Sequence, residues 1–341
     1  MAVADELRAS GAEVSFLGTR ERIEAELVPA AGYEIDFVKV RGIDRRNPLR
    51  AARAGVEALA AVGAARKVLR RRGADVVLGG GGFVAGPAGL AATLTRTPLV
   101  LTEADSHLGL ANRLLARRAR RVCLAFPIEG REGEPYLVTG RPVPRAVLEG
   151  DRDAARRRFG IAAEDRCLLV FGGSQGARSI NLAAVEAFAE GGGREFHVLH
   201  IAGRRDFEEL ERRLAAAPRR DSYTLLDYEP NLGDSLAAAD LVVARSGGSI
   251  FEVVAAGRPA VLIPYPFATG DHQTANAEWM REAGAASVLT DAELSAERLQ
   301  AEVAAAIEDG QHLEAMASAA RTLAKPEAAR RIADEVLEAA G

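Results

Sequence analysis

The residues best suited to chemistry in this sequence gather between positions 245 and 276. Arg245-Ser246-Gly247-Gly248-Ser249 offers backbone N–H groups, two hydroxyls and a helix start to an anion. A helix N-terminus contributes about 0.3–1 kcal/mol per negative charge, and more when partly buried. Glu252 follows in the first helical turn, where its carboxylate either chelates a diol such as a ribose or complements the helix dipole. Asp271-His272-Gln273-Thr274-Ala275-Asn276 comes after a proline-rich loop. Gln273 and Asn276 share a helix face, so they either hydrogen-bond sugar hydroxyls together or stand as surface amides behind an Asp271 N-cap. A second anion loop, Gly172-Gly173-Ser174-Gln175-Gly176-Ala177-Arg178, follows the apolar run from Cys167 to Phe171. Strand, glycine loop and helix in that order form a phosphate cradle. The spacing is neither GxGxxG nor GxxxxGK[ST], which argues against a dinucleotide fold or a P-loop.

The elements that must hold these loops are legible around them. Leu241 to Ala244 is a buried strand and Ile250 to Ala256 a helix, stopped by Gly257-Arg258-Pro259 before a second strand from Ala260 to Pro264. This is a βαβ unit. His197 to Ala202 and Thr224 to Leu226 read as further strands, the latter leading to Asp227-Tyr228-Glu229-Pro230. In the first half, Asp75 to Leu78 is a strand before the run Gly79 to Gly82, and Pro87 suits a first helical turn. Pro98 to Thr102 is a strand ending in Glu103-Ala104-Asp105-Ser106-His107. Polar groups there lie at the ligand edge of a doubly wound sheet. His107 is either a proton acceptor or a structural histidine near a helix start. Arg145, after Gly140-Arg141-Pro142-Val143-Pro144, carries a fork that can meet two pyrophosphate oxygens, or it is a surface arginine. Asp151-Arg152-Asp153 precedes an arginine-rich helix and reads as a helix cap rather than a metal-binding pair.

The 341 residues exceed one ordinary core and suggest two domains. No apolar run approaches the roughly 20 residues a bilayer span needs. Cys123 and Cys167 lie in apolar runs and read as buried free thiols. The net charge of −4 argues against general nucleic-acid binding. From Lys39 to Arg72, however, Arg41, Arg45, Arg46, Arg50, Arg53, Arg66, Lys67, Arg70 and Arg71 face only Asp44 and Glu57. Beside Leu49, Val56, Leu59 and Leu69 this stretch is either a patch for an anionic membrane or a solvated helix face.

Arg245 to Pro266 with Asp271 to Ala277 resembles the donor-binding region of GT-B glycosyltransferases. Within that fold it is most similar to the MurG-type enzymes of peptidoglycan synthesis. Gly172 to Arg178, followed by Asn181, is similar to that family's second glycine loop, and the resemblance spans nearly the whole chain. It implies an α/β fold of two Rossmann-like doubly wound parallel-sheet domains facing across a cleft. Residues 1–145 with the returning helix 327–341 would form the acceptor and membrane side, and 146–326 the UDP-GlcNAc domain.

The implied reaction moves N-acetylglucosamine from UDP-GlcNAc to undecaprenyl-linked lipid I, giving lipid II with inversion. It implies no metal and no cofactor beyond this nucleotide-sugar substrate, no nucleic acid, and peripheral attachment to the anionic cytoplasmic face of the bacterial plasma membrane. By the same resemblance Glu252 would hold the ribose, Gln273 with Asn276 the sugar, and Arg145 a phosphate. Gly173, Ser174, Gln175, Gly176, Ser246 and Gly247 would line the diphosphate, with main-chain groups near Glu229 at the uracil. Asp105 stands where the family has an amide.

The chain opens inside a helix, Met1 to Ser10, followed by a strand from Glu13 to Gly18. Family members begin with a strand and a GGTGGH-like loop whose histidine is the favoured general base, and no position here matches it. The general base is therefore not assignable from the sequence, with Asp105 and His107 its only other polar candidates. A sheet without its central strand leaves edges unpaired at about 1–3 kcal/mol per buried group, so low activity and low stability are expected of these residues alone. Competing readings are a diacylglycerol glycosyltransferase, a UDP-GlcNAc epimerase, or a UDP-sugar binder without turnover.

Overall fold

A computed structural model describes residues 1–40, 48–173, 176–191, 196–268 and 271–341, with the side chains of 48–56 and 58 outside the description. The chain divides into two units, Met1–Pro142 with Glu327–Gly341, and Val143–Pro326.

The second unit runs α6 (Arg145–Leu148), α7 (Arg152–Phe159), β7 (Cys167–Phe171), α8 (Arg178–Val185), β8 (His197–Ile201), α9 (Phe207–Ala215), β9 (Tyr223–Leu226), α10 (Leu232–Ala238), β10 (Leu241–Ala244), α11 (Ile250–Ala255), β11 (Ala260–Leu262), α12 (His272–Glu282), β12 (Ala286–Val288), α13 (Ala296–Ile307) and α14 (Gly310–Leu323). Its six strands pair in parallel in the order β12-β11-β10-β7-β8-β9. Every residue of β7, β8, β10 and β11 is buried, as a sheet covered by helices on both faces requires. The strand order reverses between β7 and β10. This is the switch point, where open α/β sheets leave a crevice at the carboxyl ends of their strands.

The first unit runs α1 (Ala2–Ala9), β1 (Ser15–Gly18), α2 (Glu24–Ala30), β2 (Glu34–Phe37), α3 (Pro48–Arg72), β3 (Val77–Gly79), α4 (Gly82–Thr95), β4 (Leu99–Glu103), α5 (Leu110–Leu115), β5 (Arg121–Leu124) and β6 (Tyr136–Val138), and is closed by α15 (Ala328–Ala340). Strands β3 to β6 form one parallel sheet and β1 with β2 a separate one. Among the described residues no strand joins β1 to β3. The same helices nevertheless cover both sheets. Leu7 of α1 and Ile332 and Val336 of α15 pack with Val14, Val76, Leu78 and Val100. On another side Val62 and Ala65 of α3 and Ala91 of α4 pack with Leu17.

Two local expectations need correction. Helix α4 starts at Gly82, so Pro87 sits in its interior and leaves the Phe83 carbonyl without the usual partner four residues on. Asp271 has a left-handed backbone and accepts from the Thr274 hydroxyl at 2.6 Å, with no backbone N–H capped by its side chain. Asp151 does cap α7, accepting from the Ala154 N–H at 2.9 Å. Both cysteines are free and buried, and burial pushes each thiol up to about 12. Among the described residues no helix is long and apolar enough to cross a membrane.

Candidate functional site

Two loops leave the sheet at the switch point of the second unit. The Gly172–Ala177 loop follows β7, and the Arg245–Ser249 loop follows its neighbour β10. Ser174 and Gln175 lie outside the described residues. Around them, Gly173 is exposed with φ +81° and Gly176 has φ +70°. A Cβ on Gly176 would lie 2.4 Å from the Ala202 carbonyl oxygen, so only glycine lets the loop pass β8 this closely. The N-cap of α8, Ala177, makes no side-chain hydrogen bond to the first-turn N–H groups, and a helix start is where an anion is favoured.

A buried polar network anchors α8 beneath that loop. Asn181 donates to the Ala202 carbonyl at 2.8 Å and to Asp206 at 2.9 Å, and its amide oxygen faces His200 Nε2 at 3.0 Å. His200 Nδ1 meets the Tyr223 hydroxyl at 2.7 Å. Burial depresses His200 to about 3, so the ring is neutral. Hydrogen bonds from Arg205, Asn181 and Arg178 hold Asp206 below the usual carboxylate range. Asn181 belongs to the glycine-loop motif, whereas His200 and Asp206 stand outside any motif in the sequence. A histidine inside an otherwise apolar strand was the available signal, because a buried ring nitrogen demands a partner.

The second loop folds onto α12. Ser246 is fully buried and its hydroxyl donates to the Gln273 carbonyl at 2.7 Å. Asn276 is also buried, with Nδ2 donating to the Ser246 carbonyl at 2.9 Å. The Ser246 hydroxyl hydrogen and the Asn276 Nδ2 are thus spent within the loop, whereas Asn276 Oδ1 is buried with no partner among the described residues. Gln273 is half-buried, and its Oε1 accepts from the Tyr265 N–H at 3.0 Å. Its Nε2 is 3.7 Å from where a Cβ on Gly247 would sit, which places this amide over the glycines. Glu252 lies half-buried in the first turn of α11.

Arg145 stands on α6, which packs against α10 and α11. Its side chain is 82% exposed and pairs with Glu149 at 2.7 Å. The Glu229 carboxylate is buried and engaged by Arg158 at 2.6 Å and the Asn231 N–H at 2.8 Å, so its role is to fix the turn before α10. In the first unit Asp105 and His107 are exposed after β4. Their loop is held by buried Glu103, which accepts from the N–H groups of Ala104, Asp105 and Gly109 and from Asn112 at 2.8 to 3.3 Å. In the basic stretch, Arg72 pairs with Asp36 at 2.9 Å and also with Glu34, and Arg71 pairs with Asp36. Leu59 is exposed. Arg41, Arg45 and Arg46, and the side chains of Arg50 and Arg53, lie outside the description.

Residues 1–124 match the glycosyltransferase family 28 N-terminal domain, and residues 167–334 match its C-terminal domain. The chain belongs to glycosyltransferase family 28. It is 41% identical to the UDP-N-acetylglucosamine--N-acetylmuramyl-(pentapeptide) pyrophosphoryl-undecaprenol N-acetylglucosamine transferase of Methylococcus capsulatus, covering 100% of this chain and 94% of that one. The enzyme of the same name from Rubrobacter xylanophilus is 39% identical, covering 99% and 98%. The crystal structure of Acinetobacter baumannii MurG superposes with a TM-score of 0.77 at 30% identity, covering 99% and 94%. The two parallel-sheet units are thus those of a family 28 glycosyltransferase with the GT-B fold. A UDP-GlcNAc 2-epimerase from Neisseria meningitidis, at 13% identity and a TM-score of 0.63 over 95% and 99%, shares the fold alone.

Proposed function

We propose that this protein is an inverting N-acetylglucosaminyltransferase, moving GlcNAc from UDP-GlcNAc to undecaprenyl-pyrophosphoryl-N-acetylmuramyl-pentapeptide to form lipid II. The observation that carries this reading is the pair of loops after β7 and β10, meeting at the switch point in a chain alike over its full length to enzymes of that name.

In the proposed step the 4-hydroxyl of the acceptor's N-acetylmuramyl group attacks the anomeric carbon from the face opposite the diphosphate. One carbon–oxygen bond forms as the sugar–phosphate bond breaks, and UDP leaves carrying the electron pair. Charge grows on the pyrophosphate oxygens, and the N–H groups at the start of α8 offset it together with Ser174 and Arg145. Gly173, Gln175, Gly176 and Gly247 let the diphosphate approach. Glu252 takes the ribose hydroxyls and Gln273 the sugar, with Ser246 and Asn276 fixing their loop and the main chain near Glu229 at the uracil. The step uses fixed dipoles and an arginine in place of a metal or cofactor. Asp105 and His107, at the carboxyl end of β4, are the candidates for taking the acceptor proton.

We further propose that the first unit meets the anionic cytoplasmic face of the plasma membrane. Exposed Leu59 within the basic stretch supports this, as does Arg22 lying 5.1 Å over the ring of exposed Phe83.

The test is to incubate the protein with UDP-GlcNAc and either a lipid I analogue or diacylglycerol. Disaccharide product on the lipid I analogue is expected. Product on diacylglycerol alone, conversion to UDP-N-acetylmannosamine, or donor binding without turnover would each overturn the assignment in favour of one rival.

A further inference from the structure

Arg245 directly follows β10, with a side chain only 11% exposed. One of its terminal nitrogens donates to the carbonyls of Ile263 and Pro264, both at 3.1 Å. The other donates to Ser179 Oγ at 2.8 Å and pairs with Asp291 Oδ1 at 2.6 Å. Ser179 Oγ donates in turn to the same Asp291 oxygen at 2.8 Å, and the guanidinium lies 5.5 Å from the Tyr265 ring centroid. One side chain thereby joins three segments far apart in sequence. They are the first turn of α8 directly behind the glycine loop, the loop after β11 where Gln273 grips the Tyr265 N–H, and the loop after β12. The sheet does not need this tie, because β10 already pairs with β7 and β11 through its backbone.

We infer that Arg245, with Asp291 and Ser179, is a positioning group that sets the glycine loop against the Gln273 loop and so fixes the donor's diphosphate relative to its sugar. The inference rests on the donor site proposed above. A guanidinium fits the task because its planar fork reaches two carbonyls, a hydroxyl and a carboxylate at once, whereas an ammonium concentrates its charge at one point. Asp291 and Ser179 share the second arm of the fork, so removing either weakens its hold on α8 and removing both releases it.

The experiment compares the full chain with Arg245→Lys, Ser179→Ala, Asp291→Asn and the Ser179→Ala/Asp291→Asn double variant. Affinities for UDP-GlcNAc and for UDP are read by calorimetry and stability by urea unfolding. Arg213→Lys, which alters an arginine forked onto Glu190 at 2.7 and 2.6 Å, is the control. Arg245→Lys is expected to weaken UDP-GlcNAc binding about tenfold or more and each single partner variant about three- to tenfold. The double variant should lose less than the product of the two single losses, because both act through one arm of the guanidinium. UDP, which has no N-acetylglucosamine to align, should weaken less than about threefold in every variant, and the control should bind as the parent does. UDP-GlcNAc affinity within twofold of the parent, or equal losses for UDP and UDP-GlcNAc, would overturn the inference. Should Arg245→Lys fail to fold, Ser179→Ala removes a single atom and carries the same comparison. If the parent chain binds no UDP-GlcNAc, the donor site itself is wrong and the inference falls with it.

Discussion

Asn276 Nδ2 donates to the Ser246 carbonyl at 2.9 Å, while the Ser246 hydroxyl returns a bond to the Gln273 carbonyl at 2.7 Å. The loop after β10 and the first turn of α12 are thus one hydrogen-bonded body, and Gln273 is aimed by residues that do not themselves face outward.

Replacing Asn276 by alanine therefore leaves the Ser246 carbonyl buried without its donor. The expected loss is about 1–3 kcal/mol of stability. Asn276→Asp should lose more, since a carboxylate offers no N–H and brings its charge against that carbonyl. Urea unfolding of the second unit measures both, and equal stability of Asp and Asn forms would contradict the bond.

Gly176→Ala meets two obstacles, a φ of +70° and a Cβ 2.4 Å from the Ala202 oxygen. A non-glycine residue held in the left-handed region costs about 1–3 kcal/mol, and here the contact adds to it. The loop should shift and UDP affinity should drop, as titration calorimetry would detect. An alanine variant that binds UDP like the parent would show that the loop has slack.

His200 gives the second unit a pH dependence with a defined sign. Its folded value of about 3 lies below its ordinary 6.5, so below pH 6.5 the unfolded chain takes up a proton that the folded one refuses. Stability is full above pH 6.5 and falls as pH drops toward 3, with a limiting slope of about 1.4 kcal/mol per pH unit. His197, depressed by burial in the same direction, adds to the effect. Unfolding free energies between pH 7 and 5, above the range where carboxylates titrate, should decline in the parent and decline less in His200→Gln. A flat parental profile would show that the ring is not held neutral.

Glu252→Ala should weaken UDP-GlcNAc binding by about 1.5–3 kcal/mol, the range for hydrogen bonds to a charged group. Because the proposed partner is the ribose, UDP alone should lose a similar amount. Undiminished affinity for both would remove Glu252 from the site.

The fold class and the family were legible in the amino-acid order alone. Apolar runs such as Cys167–Phe171 and Leu241–Ala244 became fully buried strands with the expected bounds, because burial on both faces of a parallel sheet leaves no room for polar alternation. That order also located both glycine loops, since glycine spacing and a following helix are local signals. Which polar side chains are spent inside the protein became visible only in the folded chain. Ser246 and Asn276 are buried, Glu229 is locked to Arg158, and Arg245, in the sequence only the first residue of a polar loop, joins Ser179 to Asp291 across 112 residues of sequence. Periodicity records whether a position is buried, but not its partner. The partner depends on strand order, which brings the ends of β7, β10, β11 and β12 to one edge.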